Sequence, residues 1–314
     1  MLRHRYSMIV LLITLSIYSC KEDPKDEILV DSSVNVKNSA PSAPNCPAHL
    51  VKEKKNNLNV SILLDLSDRI EEPKAIEKDI AYLASLSKVF TDHVKTKKLI
   101  MLEDRMQLFF NPEPTSSGIN EIADNLKIQF TRETPQARLQ ETESLYSTEP
   151  LKLYTLARED AGGVKKNYPG SDIWRFFKDN VKDYSMDNCH RNILVILTDG
   201  YMYYEKTQMT EGNRTSFLTP KSLAQLKLIK SNWKEEMDQK DLGFIPATKD
   251  LNDLEVLVIG INSLNDDNPY AQDIIEAYWS KWLLEMGVEE KNFKIKNAVI
   301  ASNMEKVISD FIKK

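Results

Sequence analysis

Asp65 and Asp199 each close an apolar run, and each has serine, threonine or glycine within two residues. The first run is Asn59-Val60-Ser61-Ile62-Leu63-Leu64-Asp65-Leu66-Ser67-Asp68-Arg69, and the second is Ile193-Leu194-Val195-Ile196-Leu197-Thr198-Asp199-Gly200. Two carboxylates with hydroxyls nearby offer the hard oxygen donors that Mg²⁺ or Mn²⁺ prefers. Apolar, partly β-branched runs that stop at an acid read as strands buried on both faces, with a polar site at their C-terminal ends. In an open α/β sheet ligands bind at that end, so both aspartates are expected in one site on neighbouring strands. The plainer reading of each is helix N-capping after a strand, which aspartate also does well.

The elements that must position these residues follow in regular order. Residues 58–64 read as a strand, and Pro73 suits the first turn of a helix running through Ile76, Ile80, Leu83 and Val89. Residues 105–110 alternate as a second strand, 121–126 form a short amphipathic piece, and 127–130 form a further strand. Residues 134–160 are polar and helical in composition. Tyr168-Pro169-Gly170-Ser171-Asp172-Ile173 is a turn entering a helix, with Ser171 or Asp172 as its N-cap. Trp174, Phe176 and Phe177 then fall at helical spacing and read as core. After the 192–197 strand, residues 201–219 form a tyrosine-rich insertion beside Asp199. Tyr201, Tyr203 and Tyr204 are therefore candidates for partner contact, as tyrosine is enriched in protein interfaces. Pro220 opens a helix to about residue 240, 254–261 is a buried strand, and 269–286 is a helix with Gly287 as its C-cap. A strand over 294–300 and a helix over 303–313 finish the chain. This alternation predicts an α/β fold: a doubly wound, mostly parallel sheet with helices on both faces.

Three of these segments, in order, make the chain similar to von Willebrand factor A-type domains. Asp65-Leu66-Ser67-Asp68-Arg69 resembles the family's Asp-x-Ser-x-Ser loop. Gly170-Ser171-Asp172-Ile173 resembles its Gly-Thr-Asn-Ile loop, and Thr198-Asp199-Gly200 its Thr-Asp-Gly turn. The likeness covers roughly residues 57–313, with additions around 131–167 and 201–219. It implies a three-layer sandwich and a metal-ion-dependent adhesion site, in which Mg²⁺ or Mn²⁺ accepts a carboxylate from a partner protein. Carried over residue by residue, Asp65, Ser67, Ser171 and Asp199 are the implied metal set, with Asp68 and Asp172 as outer-shell oxygens. Arg69 departs from the pattern, standing where the second serine belongs. Arginine has no lone pair to offer a cation, and its guanidinium can pair with Asp65 or Asp199 instead. Two sites stay open at this point: one holding a metal, and one in which Arg69 replaces it. Arg69 is also a candidate partner contact.

The N-terminus reads as a targeting segment over residues 1–19. Arg3 and Arg5 precede an apolar run too short to span a bilayer, and Ile17-Tyr18-Ser19-Cys20 resembles a bacterial lipobox. That resemblance implies lipidation at Cys20, the alternative being an ordinary secretory signal. The charged Lys21-Glu22-Asp23-Pro24-Lys25-Asp26-Glu27 is similar to the surface-export signal of Bacteroidetes-type lipoproteins. Residues 20–56 have linker composition with little order expected, and residues 57–314 suffice for one α/β domain. The expected location is the cell envelope, with the N-terminal lipid as the sole membrane contact. The remaining cysteines, Cys46 and Cys189, are free to pair in an oxidising compartment.

A formal net charge of −5 without a basic stripe argues against nucleic acid as a partner. The four histidines are scattered, which argues against zinc. A hydrolase or phosphotransfer enzyme built on Asp65 would want a general base or lysine beside it, and the motifs supply neither. The expectation is therefore a non-enzymatic protein-binding module, with a scaffold carrying a degenerate site as the first alternative and a metal-dependent hydrolase or phosphotransfer enzyme as the second.

Overall fold

The computed structural model describes residues 46–314 apart from Pro73 and residues 265–266. The expectations for the signal segment, Cys20, the linker as far as residue 45, and Pro73 lie outside the described residues. Pro44–Lys314 forms one compact unit that contains every core residue named below.

Nine strands are present among the described residues: β1 Leu58–Leu64, β2 Glu103–Phe109, β3 Ile128–Thr131, β4 Arg191–Leu197, β5 Thr210–Glu211, β6 Arg214–Thr215, β7 Gly243–Phe244, β8 Leu254–Ile261 and β9 Phe293–Asn297. The helices are α1 Ala48–Lys52, α2 Ala75–Lys95, α3 Ser117–Asn125, α4 Ala137–Ala161, α5 Ile173–Arg175, α6 Val181–Ser185, α7 Pro220–Gln225, α8 Trp233–Gln239, α9 Ala271–Glu285 and α10 Ala301–Ile312. The main sheet has the order β3-β2-β1-β4-β8-β9 and is parallel except for β3, which pairs antiparallel at one edge. Antiparallel edges of this kind are common on otherwise parallel sheets.

The apolar runs explain why β1, β4 and β8 are central. Every residue of β1 is buried, and its side chains alternate between two cores. Val60, Ile62 and Leu64 join Ile193, Val195 and Leu197 under α2, α3, α4 and α10. Leu63 joins Leu194, Ile196, Val256 and Val258 on the other face, against Phe176, Phe177, Trp279 and Trp282. Each such side chain contributes about 1.5–3 kcal/mol when fully buried. The doubly wound three-layer architecture expected from the alternation is present.

The chain leaves β1 for β2 and β3 on one side, then returns to β4 on the other, so the winding reverses between β1 and β4. Leu64 pairs with Leu197, and the Asp65 amide donates to the Leu197 carbonyl at 3.1 Å. Asp65 and Thr198 thus emerge side by side at the switch point, where α/β sheets place their ligands.

The structure differs from expectation in three places. Residues 46–56, expected as linker, carry α1 and a 3₁₀ turn at Lys54–Asn56, held by the Cys46–Cys189 disulfide that the sequence had left open. Residues 137–161, read as part of an addition, are one helix whose Tyr146, Leu153, Tyr154 and Ala157 enter the core beside α2. The helix expected over 220–240 is two, α7 and α8. Lys227 takes a left-handed φ of 55° just past α7, which an α-helix does not tolerate.

Candidate functional site

Three loops meet over the ends of β1 and β4. Leu66 bridges Gly170, and Ser171 bridges Tyr203, so the Asp65 loop, the Gly170 turn and the segment after Asp199 are joined through backbone. Asp65, Ser171 and Asp199 are all buried within this junction.

Asp65 is fixed from both sides: Oδ1 accepts from the Ser67 amide at 3.0 Å, and Oδ2 accepts from the Thr198 hydroxyl at 2.9 Å. The same Thr198 oxygen accepts from the Gly200 amide at 3.1 Å, which ties the two aspartate loops together. Asp199 Oδ1 accepts from the Tyr201 amide at 2.9 Å, while no hydrogen bond reaches its other oxygen among the described residues. Burial, and then the charge of Asp65, push the Asp199 carboxyl up to about 7. The Ser171 hydroxyl is buried and makes no hydrogen bond, an arrangement that ordinarily costs about 1–3 kcal/mol.

Arg69 turns inward and downward. Its Nη2 donates to Asp79 Oδ2 at 2.5 Å and to the Leu197 carbonyl at 3.3 Å, and its Nε donates to the Asp65 carbonyl at 3.2 Å. The Asp65 carboxylate is farther away, 3.6 Å from Nε. Tyr154 of α4 donates to the same Asp79 oxygen at 2.6 Å. Burial opposes the charge of Arg69, but Asp79 and then Asp65 hold its pKa above the usual arginine value. Burial, and then Asp79, push the Tyr154 hydroxyl well up.

These contacts revise several expected roles. Arg69 is buried and so is not a partner contact. Tyr201 is buried as well, with its hydroxyl donating to the Ser263 carbonyl, so it packs the loop from below. Asp172 is the N-cap the sequence offered: Oδ1 caps α5 through the Arg175 amide at 3.0 Å, and Oδ2 accepts from the Thr207 hydroxyl. Asp68 pairs with Lys165 at 2.8 Å, facing solvent. Ser67 stays partly exposed beside Asp65, Tyr203 is 48% exposed, and the Tyr204 ring covers Gly170. The expected core residues Trp174, Phe176 and Phe177 are buried.

Sequence reasoning missed Asp79 and Tyr154, and it named Thr198 without its bond to Asp65. Asp79 carried a usable signal, because it opens the apolar stripe Tyr82, Leu83, Leu86, Val89, Phe90 of α2. A carboxylate on a buried helix face calls for a buried cation. Nothing in the sequence marks Tyr154 as its second partner.

Among the described residues, no three histidine, cysteine or carboxylate side chains stand together as a metal cluster. A cation at this junction would draw on hydroxyls as well, from Ser67 and Ser171 beside Asp199 and Asp65. The unpartnered Ser171 hydroxyl fits that donor set, and the Arg69 guanidinium near Asp65 works against it. A larger open cleft between α2 and α4, lined by Ile76, Ile80, Leu151 and Arg158, includes neither aspartate.

The sequence matches no family model and no curated protein. Among solved structures, the chain is similar to proximal thread matrix protein 1 from the mussel byssus, at 10% identity and a TM-score of 0.34. It is also similar to the pilus adhesin SpaC from Lactobacillus rhamnosus GG, at 10% identity and a TM-score of 0.37. Each likeness covers 82% of this chain, but only 47% and 30% of the respective neighbours. Likenesses this distant carry no weight for function.

Proposed function

We propose that this chain is a lipid-anchored protein-binding module of the cell envelope, which engages a partner through the Asp65–Ser171–Asp199 junction. The observation that carries the reading is the buried, unpartnered hydroxyl of Ser171, placed between two loops that each end a strand in a buried aspartate. Protein folds rarely leave such a group idle, and a ligand oxygen or a cation would complete it. Mg²⁺ or Mn²⁺ held by Ser67, Ser171 and Asp199, with Asp65 behind, would present open positions to a partner's carboxylate. The charge balance supports this. Arg69 is neutralised chiefly by Asp79, so its charge does not cancel Asp65 and Asp199 together. The likeness to von Willebrand factor A-type domains points the same way, as does the exposed Tyr203 on the loop bridging Ser171.

A second reading is favoured by the 3.6 Å approach of Arg69 to the Asp65 carboxylate. In it the guanidinium stands in for the ion, and the protein is an envelope scaffold with a closed site. Calorimetric titration of the purified protein with Mg²⁺ and Mn²⁺, run beside Asp199→Ala, separates the two. Saturable binding lost in the variant supports the cation-dependent module. No heat in the wild type rejects it in favour of the closed site.

A further inference from the structure

Among the described residues, the exposed large apolar side chains are scattered singly except for one consecutive pair, Leu99 at 57% and Ile100 at 71% exposure. They form the tip of the 3₁₀ turn Leu99–Met101 between α2 and β2, at the end of the sheet opposite the aspartates. Two bonds tie the segment leading into this tip to the Lys54–Asn56 turn that precedes β1. His93 Nε2 lies 2.9 Å from the Asn56 carbonyl, and Lys97 Nζ donates to the same oxygen at 2.9 Å. Lys97 is itself buried against Asp104 at 2.6 Å. The edge so formed carries Lys52, Lys55 and Lys98, all exposed and without an acidic partner among the described residues. Of the acids around this edge, Asp104 and Asp253 pair with Lys97 and Lys54, the exposed Glu133 just past β3 pairs with Arg132 at 3.7 Å, and Glu53 and Glu103 are only partly exposed.

From this edge we infer that the Leu99–Ile100 tip and its lysine flank dock on an anionic lipid bilayer surface. Two adjacent aliphatic side chains beside unpaired lysines match an interface in which apolar groups enter the acyl boundary and ammonium groups meet lipid phosphates. Cys46, the first described residue, is bonded to Cys189 just before β4, at this same end. With the tip on the bilayer, the junction at the far ends of β1 and β4 points away from it, open to a partner. Membrane contact then has a second element besides the expected N-terminal lipid.

The inference does not rest on lipidation, and its test leaves the lipid out. Residues 44–314, which hold the whole described core, are floated with phosphatidylcholine vesicles with and without phosphatidylglycerol. Binding to the anionic vesicles is expected, falling about tenfold in Leu99→Ser/Ile100→Ser. In Lys55→Glu/Lys98→Glu it should fall by at least about twenty-five-fold, since each lysine near an anionic surface is worth about a fivefold change. Absence of binding to anionic vesicles overturns the inference, as does binding that Leu99→Ser/Ile100→Ser leaves unchanged. A tip that instead joins two copies of the chain, seen as a dimer that Leu99→Ser/Ile100→Ser converts to monomer without vesicle binding, overturns it too.

Discussion

Arg69 is bonded to Asp79 at 2.5 Å and stands 3.6 Å from the carboxylate of Asp65, so its charge is shared unequally between a helix and the site. The helix partner is the stronger, because Tyr154 donates to the same Asp79 oxygen and fixes it in place. An arginine in a loop otherwise suited to cation ligands is thereby held below the junction by the buried face of α2.

Removal of Asp79 should expose this division. Asp79→Asn leaves a buried guanidinium with only Asp65 to answer it, and breaking a buried pair from one side costs about 3–5 kcal/mol. Urea unfolding should show that loss. Replacement of both partners by apolar residues, as in Arg69→Met/Asp79→Leu, should cost less, because the Arg69–Asp79 pair leaves together, although Asp65 and the Tyr154 hydroxyl each lose a contact. If the pair instead behaved as a surface ion pair, Asp79→Asn would shift the midpoint only slightly.

The pH dependence has a definite sign. Asp199 is raised to about 7 by burial and by Asp65, from an ordinary carboxylate value of 3.8. The folded protein therefore holds this proton more tightly than the unfolded chain does. The associated stability is complete below about pH 4 and is lost as pH rises to about 7, by up to about 4 kcal/mol. Asp199→Asn should flatten that part of the stability profile and be the more stable protein at pH 8. Divalent cations act in the opposite sense, because they need the ionised carboxylate. Mg²⁺ affinity should fall below pH 7, with a proton released on binding, which calorimetry in buffers of different ionisation enthalpy would detect.

The disulfide closes a loop of 143 residues between Cys46 and Cys189. Loop-closure entropy for that length is worth up to about 5 kcal/mol. Cys46→Ser/Cys189→Ser should lower the thermal midpoint and release the amides of α1 to rapid hydrogen exchange. The amides of β1 and β4 should stay protected, because the paired strands hold them independently.

Gly200 shows why the turn after Asp199 needs its glycine. Its φ is +96°, and a Cβ there would meet Ile275 Cγ2 at 2.6 Å and Ile261 Cδ1 at 2.8 Å. Gly200→Ala should cost about 2–4 kcal/mol, combining left-handed strain with overpacking. Because the Gly200 amide also bonds Thr198, the variant should disturb Asp65 and weaken any cation binding beyond its effect on stability.

Much of this arrangement was legible in advance. The strands ending at Asp65 and Asp199 follow from runs that only a doubly covered sheet accommodates, and Gly170-Ser171-Asp172 reads as a turn into a helix because each residue type suits its place. What stayed hidden depends on distant partners. The direction of Arg69 is set by Asp79 and Tyr154, neither of which lies in the loop it joins. The second partner of Asp172 is Thr207, 35 residues on, which nothing near Asp172 in the sequence announces. Tyr201, Tyr203 and Tyr204 are alike in the sequence, and only the fold buries the first, exposes the second and lays the third over Gly170.

Ser171 offers the sharpest separation of function from stability. Its hydroxyl is buried and makes no hydrogen bond, so in the unliganded protein it is a cost rather than a contribution. Ser171→Ala removes an unsatisfied polar atom with little change in shape and should leave the fold unchanged or stabilise it by about 1 kcal/mol. If the hydroxyl is a ligand, the same substitution should lower Mg²⁺ or Mn²⁺ affinity at least about tenfold, the scale on which even outer-shell partners of a metal act. The two effects have opposite signs, and a purely structural serine cannot produce both. Thermal unfolding and metal titration of Ser171→Ala, set beside the wild type, read them directly. A stabilised variant that still binds the ion at wild-type affinity would remove Ser171 from the site and leave Ser67 and Asp199 to hold it.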